Sequence, residues 1–105
     1  MNTKNHLFLD EFEFSVLKDD SLVVIPLDHR IWSVDKSNAL SLIEGLSDLL
    51  HDDKHKDTFV EDECGREHRI SKLTDRMFDM DNTRMTRYTI TKLLNFLEDS
   101  YDYGV

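Results

Sequence analysis

Cysteine, proline and glycine are scarce in this chain, and each shortage excludes a class of structure. The 105 residues include one cysteine, one proline and three glycines. Because Cys64 is the single cysteine, no intrachain disulfide can form. The lack of disulfides is typical of proteins in a reducing compartment, so we expect a cytoplasmic location. None of the glycines begins a phosphate-binding loop, and there is no Cys-x-x-Cys, His-Glu-x-x-His or Gly-x-Ser-x-Gly motif. We therefore expect a protein that is not an enzyme and holds no cofactor.

Long apolar runs are also missing. The longest, residues 22–27, is the length of a strand and contains Pro26, whereas a membrane-spanning helix needs about 18 apolar residues. The start of the chain lacks the apolar core of a signal peptide. The sequence therefore predicts neither a membrane segment nor a membrane partner.

Basic residues are outnumbered by acidic ones. The chain has 13 Lys and Arg against 22 Asp and Glu, which gives a net charge of −9 at pH 7. This sign disfavours direct binding to nucleic acid, which needs a basic protein surface, and to anionic membranes. It favours a protein partner with a basic surface, because opposite fields accelerate and orient association. Solubility alone is the alternative explanation of the same charge.

The negative charge is concentrated before residue 70. The last third, residues 71–105, is almost neutral, with 6 acids and 5 bases. The acids of the first two-thirds fall in short blocks, which we predict to be the partner-binding surface. Its predicted residues are Asp10, Glu11, Glu13, Asp19, Asp20, Asp52, Asp53, Glu61, Asp62 and Glu63.

A period-two pattern predicts strands near the start of the chain. Phe12, Phe14 and Val16 alternate with polar residues, and the apolar run 22–25 follows a polar turn. We expect these two segments to pair as an antiparallel hairpin. Residues 30–34 are a candidate third strand that would extend the hairpin to a meander.

Two apolar stripes predict helices. The first covers residues 39–50, with Ser33 or Asp35 as N-cap and an end near His51. Gly45 interrupts this helix, and a close packing contact would explain a glycine there.

The second stripe covers residues 90–101, with Thr86 or Thr89 as N-cap. Apolar spacing over residues 70–80 is compatible with a third, less regular helix. Residues 84–89 fit either a strand or a helical start. Residues 52–67 read as a loop that contains a short strand around Phe59 and a turn at Cys64 and Gly65.

These elements predict an α+β fold, in which a small antiparallel sheet packs against two or three helices. The sheet is either an N-terminal hairpin or a three-strand meander. We expect one compact domain over residues 1–105, with frayed termini at about 1–6 and 102–105, and no internal repeat.

A metal site is an alternative use of the middle segment. His51 and His55 are four residues apart, and Cys64 and His68 repeat that spacing, so a four-ligand zinc site can be drawn. Structural zinc sites usually contain cysteine pairs, and a solvated loop with ordinary surface histidines explains the same residues. We therefore predict no bound metal.

In size, charge and lack of catalytic motifs, the chain resembles small acidic inhibitors such as phage anti-defence proteins, DNA mimics and toxin-immunity proteins. The resemblance implies a non-enzymatic inhibitor that binds a basic surface of a nuclease or a nucleic-acid-guided defence complex. A toxin-specific immunity or regulatory protein is the alternative, and a small metal-binding protein is a third hypothesis. One face of an amphipathic helix also allows a homodimer.

Overall fold

Two four-stranded antiparallel sheets, each followed by one helix, make up the described part of a computed structural model of this chain. The structure describes residues 3–9, 12–17, 22–26, 31–54 and 56–101. The strands of the first sheet are β1 Thr3–Leu9, β2 Phe12–Leu17, β3 Leu22–Pro26 and β4 Ile31–Asp35. The strands of the second sheet are β5 Asp57–Glu61, β6 Glu67–Lys72, β7 Met77–Met80 and β8 Thr83–Thr86. The helices are α1 Lys36–His51 and α2 Arg87–Ser100.

The order of four strands and one helix occurs twice among the described residues. The sequence shows no internal repeat, and the recurrence is one of element order rather than of sequence. The repeat lies in burial positions, because the two helices bury apolar residues at the same steps from their N-caps, Asp35 and Thr86. These matching residues are Ala39, Leu42, Ile43 and Leu46 in α1 and Ile90, Leu93, Leu94 and Leu97 in α2.

The predicted α+β class and the N-terminal meander are confirmed. Strands β2, β3 and β4 pair in sequence order, with Val23 opposite both Val16 and Val34. Asp35 is the N-cap of α1, and its carboxylate accepts a hydrogen bond of 2.9 Å from the Asn38 N–H. The expected contact at Gly45 also exists, because a Cβ there would overlap Oγ1 of Thr58. An alanine at this position would require the Thr58 side chain or α1 itself to shift.

The predicted helix over residues 70–80 is wrong. This segment forms β6 and β7, with Ile70, Phe78 and Met80 buried and Leu73 46% exposed. The hydroxyl of Thr74 accepts hydrogen bonds from the main-chain N–H groups of Arg76 and Met77, which closes a turn between the strands. A side chain that bonds its own local backbone favours a turn over a helix.

Residues 3–6 differ from the prediction, and residues 84–89 settle an alternative that the sequence left open. Residues 3–6, predicted to be frayed, belong to β1, which pairs with β2. Main-chain pairing orders this edge strand, so the polar sequence of residues 3–6 is no obstacle. The segment 84–89 is divided between β8 and α2, and the hydroxyl of Thr86 accepts from the Thr89 N–H at 3.2 Å.

The helices join the two sheets through a reciprocal arrangement. Helix α1 contacts β3 and β4 of its own sheet and also β5, the first strand of the second sheet. Helix α2 contacts β7 and β8 of its own sheet and also β1, the first strand of the first sheet. The inner faces of both sheets and both helices therefore bury one continuous apolar core. In the described part of the chain, no helix is long and apolar enough to cross a membrane.

Candidate functional site

The loop between β5 and β6 is built around one carboxylate. Oδ1 of Asp62 accepts hydrogen bonds from the N–H groups of Cys64, at 2.9 Å, and Arg66, at 3.0 Å. The main chain of Asp62 also donates to the carbonyl of Arg66 and accepts from the N–H of Gly65. Gly65 has φ +83°, a conformation that glycine adopts without steric cost. Residues 62–66 therefore form an ordered loop, and we call this loop together with the flanking Glu61 and Glu67 the hairpin end.

The hairpin end is attached to the first sheet. The N–H of Glu63 donates a hydrogen bond of 2.7 Å to the carbonyl of Ser33 on β4. A cavity of about 200 Å³ lies at this junction. Its lining residues are Ile31, Ser33, Asp62, Glu63, Cys64 and Arg66.

A buried histidine lies beneath the loop. His68 on β6 is 6% exposed, and its Nε2 is 2.8 Å from Oδ2 of Asp62. Its Nδ1 is 3.8 Å from Oδ2 of Asp81, in the turn between β7 and β8. The ring stacks on the buried Trp32 of β4, with centroids 4.6 Å apart and an interplanar angle of 21°. His68 therefore contacts a residue of the first sheet and a carboxylate on each side.

These bonds perturb the titration of Asp62. The hydrogen bond from His68 lowers the pKa of Asp62 below its ordinary value of 3.8, and the bonds from the Arg66 and Cys64 amides lower it further. All three groups stabilise the ionised form of the carboxylate. Asp62 is therefore a structural anion of the loop, and its charge is partly neutralised within the protein.

The outward surface of the hairpin end combines carboxylates with exposed apolar side chains. Glu61 and Glu67 are direct cross-strand partners and both are exposed, as is Glu63. Phe59, two residues from Glu61 on the same strand face, is 52% exposed. Its cross-strand partner is the exposed Arg69, whose charge is paired with Asp57 at 2.9 Å. Ile31, beside the loop, is 64% exposed. Apolar centres with a charged rim are typical of protein-binding surfaces.

Helix α1 separates the predicted acids into two groups. Gly45 of α1 lies against Thr58 near the start of β5, whereas Ser33, which precedes α1, bonds to Glu63, which follows β5. The helix and the strand therefore run in opposite directions. With 16 residues, α1 is about 24 Å long.

The predicted acidic surface is accordingly divided. Asp52 and Asp53 are exposed after the C-terminus of α1, about one helix length from the hairpin end that contains Glu61, Asp62 and Glu63. The structure does not bring these two groups together. Glu13 is exposed on β2. Asp10, Glu11, Asp19 and Asp20 lie outside the described residues.

The four residues of the hypothetical zinc site are likewise not brought together. His51 is exposed at the end of α1, Cys64 is exposed in the loop at the opposite end, and His55 lies outside the described residues. Both ring nitrogens of His68 face carboxylates. Over the described ranges, no group of three His, Cys, Asp or Glu side chains is placed to hold a metal ion.

Sequence reasoning did not identify Glu67, Ile31 and Asp81 as parts of this region. A hairpin closed by a two-residue turn at Cys64-Gly65 would place Glu61 opposite His68, so the observed pairing of Glu61 with Glu67 does not follow from the predicted turn. Ile31 and Asp81 come from separate parts of the chain, and their proximity to the loop depends on how the strands pack. Neither a family model, nor a curated protein, nor a solved structure matches this chain, so its function is inferred from its own geometry.

Proposed function

We propose that this protein is a non-enzymatic inhibitor that binds a basic surface of a nucleic-acid-acting protein through its hairpin end. One observation carries the proposal: the exposed apolar side chains of Ile31 and Phe59 lie beside exposed carboxylates. A partner that presents Lys or Arg around an apolar spot complements this surface. The apolar contacts then supply affinity, and the charges supply orientation and association rate.

The Glu61–Glu67 pair supports a basic partner. Like charges directly opposite each other on neighbouring strands destabilise a sheet. A cation of the partner between the two carboxylates would remove this repulsion, so part of the cost in the free protein is recovered on binding. A neutral or acidic partner offers no such gain.

Nucleic-acid-acting proteins are the proposed class of partner because they keep basic clefts for phosphate backbones. A chain with a net charge of −9 is attracted to such a cleft from a distance. Bound there, it would exclude the nucleic acid by occupying the cleft. The same field repels free nucleic acid, so we propose no direct contact with it.

The test compares two charge reversals of equal size at the two ends of α1. Glu61→Lys with Glu67→Lys alters the hairpin end, and Asp48→Lys with Asp53→Lys is the matched control at exposed positions near the other end. The tagged proteins capture partners from a cell lysate at low salt, and capture is repeated as salt rises. We expect the hairpin-end variant to lose the partner, the control to keep it, and capture by the unmodified protein to weaken steeply with salt.

The captured partner then decides the mechanism. Competition between this protein and the partner's nucleic acid supports inhibition by occupation of the cleft. A ternary complex with nucleic acid would instead indicate an immunity or regulatory protein that binds outside the cleft. Equal loss of capture in both variants, or capture that does not respond to salt, contradicts the proposed surface.

A further inference from the structure

We propose that His68 is the positioning residue of the hairpin end, which it holds through two carboxylates that respond differently to its protonation. Nε2 holds Asp62 in both protonation states, and Nδ1 holds Asp81 only in the imidazolium form. The inference about the loop stands on the geometry alone. Its consequence for partner binding rests on the proposed function.

The two nitrogen–oxygen distances give the two ring nitrogens of His68 different roles. Nε2 is 2.8 Å from Oδ2 of Asp62, a hydrogen-bond distance, whereas Nδ1 is 3.8 Å from Oδ2 of Asp81, an ion-pair distance. Neutral imidazole has one N–H donor and imidazolium has two. The shorter contact places the retained proton of the neutral ring on Nε2. Deprotonation therefore removes the N–H that faces Asp81 and leaves a lone pair directed at that carboxylate.

The neighbours of His68 make these carboxylates the electrostatic partners of the ring. Asp62 faces it from the β5–β6 loop and Asp81 from the β7–β8 turn. The apolar Val60 is its cross-strand partner on β5, and Trp32 covers one ring face from β4. At 6% exposure, the ring has little water to compensate for a lost partner.

Asp62 transmits the position of His68 to the loop. The same carboxylate that His68 holds through Oδ2 accepts the Cys64 and Arg66 amides through Oδ1. The next residue, Glu63, ties the loop to Ser33. Without a donor at position 68, the carboxylate loses the contact that fixes its orientation, and its hydrogen bonds to the loop amides weaken.

Two substitutions distinguish the hydrogen bond that His68 donates to Asp62 from the change in its protonation. His68→Gln keeps an N–H donor for Asp62 but does not titrate, whereas His68→Phe keeps a ring against Trp32 and removes the donor. We expect the Cys64 and Arg66 amides to exchange about tenfold faster in His68→Phe than in the wild type or His68→Gln. Equal exchange in both variants would contradict the positioning role. If His68→Phe does not fold, the pH measurements on His68→Gln still test the proposal.

Trp32 is the only tryptophan and reports the protonation of its stacking partner. We expect a pH-dependent step in its fluorescence in the wild type, because an imidazolium quenches a stacked indole, and no such step in His68→Gln. Across that step, corrected amide protection should fall at Asp81 and persist at Cys64 and Arg66. Loss of protection at all three amides together, or a step retained in His68→Gln, would overturn the assignment.

Partner binding provides the last measurement. Deprotonation of His68 removes one positive charge beneath the hairpin end without releasing its loop. A basic partner should therefore bind about two- to fivefold more tightly above the pH of the step. His68→Gln should lack this difference, measured with the partner captured as described above. If the exchange and fluorescence results hold while binding is unchanged, the proposed binding surface fails and the role of His68 stands.

Discussion

At the scale of single residues, Asp62 shows how one side chain determines both local and tertiary structure. Its two carboxylate oxygens face opposite ways, one toward the amides of its own loop and the other toward a buried histidine of the next strand. The loop conformation and the His68 contact therefore depend on the same negative charge. This dependence makes the stability of the protein sensitive to acid.

We expect Asp62→Asn to reduce stability at neutral pH and to matter less as the pH falls below the ordinary pKa of Asp62, 3.8. The pKa of Asp62 is lowered by its hydrogen bonds to His68 and the loop amides, so ionised Asp62 stabilises the folded state above its ordinary pKa of 3.8. That contribution is lost as the pH falls through the lowered value. Urea midpoints of the wild type and the variant should therefore converge in acid.

The exposed Asp53 provides the control for this experiment. Asp53→Asn removes the same charge without a contact to His68, and its urea midpoints should stay close to those of the wild type. A stability difference for Asp62→Asn that is constant from neutral pH to below 3.8 would contradict the role assigned to this carboxylate.

At the scale of elements, the sequence predicts those whose burial follows a clear period. The stripes of α1 and α2 and the alternation in β2 are of this kind, because each element buries one face against the core. The second sheet was largely missed. Across the segment that forms β6, the following turn and β7, the apolar residues have helical spacing, yet Leu73 lies in the exposed turn. These residues are Ile70, Leu73, Met77 and Met80.

The sequence predicts part of the candidate site but not how its residues are arranged in space. The acidic block at residues 61–63 follows from the sequence alone, since acids are exposed wherever they are not paired. Its separation from Asp52 and Asp53 does not, because that distance depends on the direction of α1 relative to β5. The contact of His68 with Asp81 likewise requires the strand register.

Arg87 connects three elements and should be the most important surface cation for stability. From the first turn of α2, its guanidinium donates to the carbonyl of Leu50 near the end of α1 and to that of Asp75 in the β6–β7 turn. It thus satisfies one of the carbonyls that a helix C-terminus leaves without a partner, at the negative end of the helix dipole.

We expect Arg87→Met to cost about 2–4 kcal/mol in the free energy of unfolding, because hydrogen bonds from charged groups contribute roughly 1.5–3 kcal/mol each. Arg87→Lys should lose about half as much, since one ammonium cannot reproduce the guanidinium fork. Urea unfolding measures both. Arg84→Met, at an exposed position on β8, should change stability by less than about 0.5 kcal/mol. Equal losses of unfolding free energy at positions 84 and 87 would contradict the role of Arg87 in connecting the three elements.

At the scale of the whole molecule, the reciprocal packing of the helices makes each half depend on the other. Helix α1 lies against β5 of the second half, and α2 lies against β1 of the first half. Neither sheet can therefore keep its apolar face covered when the other half unfolds. We expect one cooperative unfolding transition, as is usual for a domain of this length.

A core truncation in the second half tests this coupling through a probe in the first. Leu97 of α2 is fully buried, and Leu97→Ala should cost about 2–5 kcal/mol. Strands β3 and β4 pair with each other, so the exchange protection of their amides in urea reports the first half. If the halves unfold together, the urea midpoint from these amides falls by the same amount as that from the amides of β6 and β7, because one equilibrium governs both signals. Asn95→Ala, at an exposed position on α2, should move neither. A midpoint for β3 and β4 that stays at the wild-type value while β6 and β7 lose protection earlier would mean that the two halves are independent folding units, and that α2 only covers β1 without stabilising it.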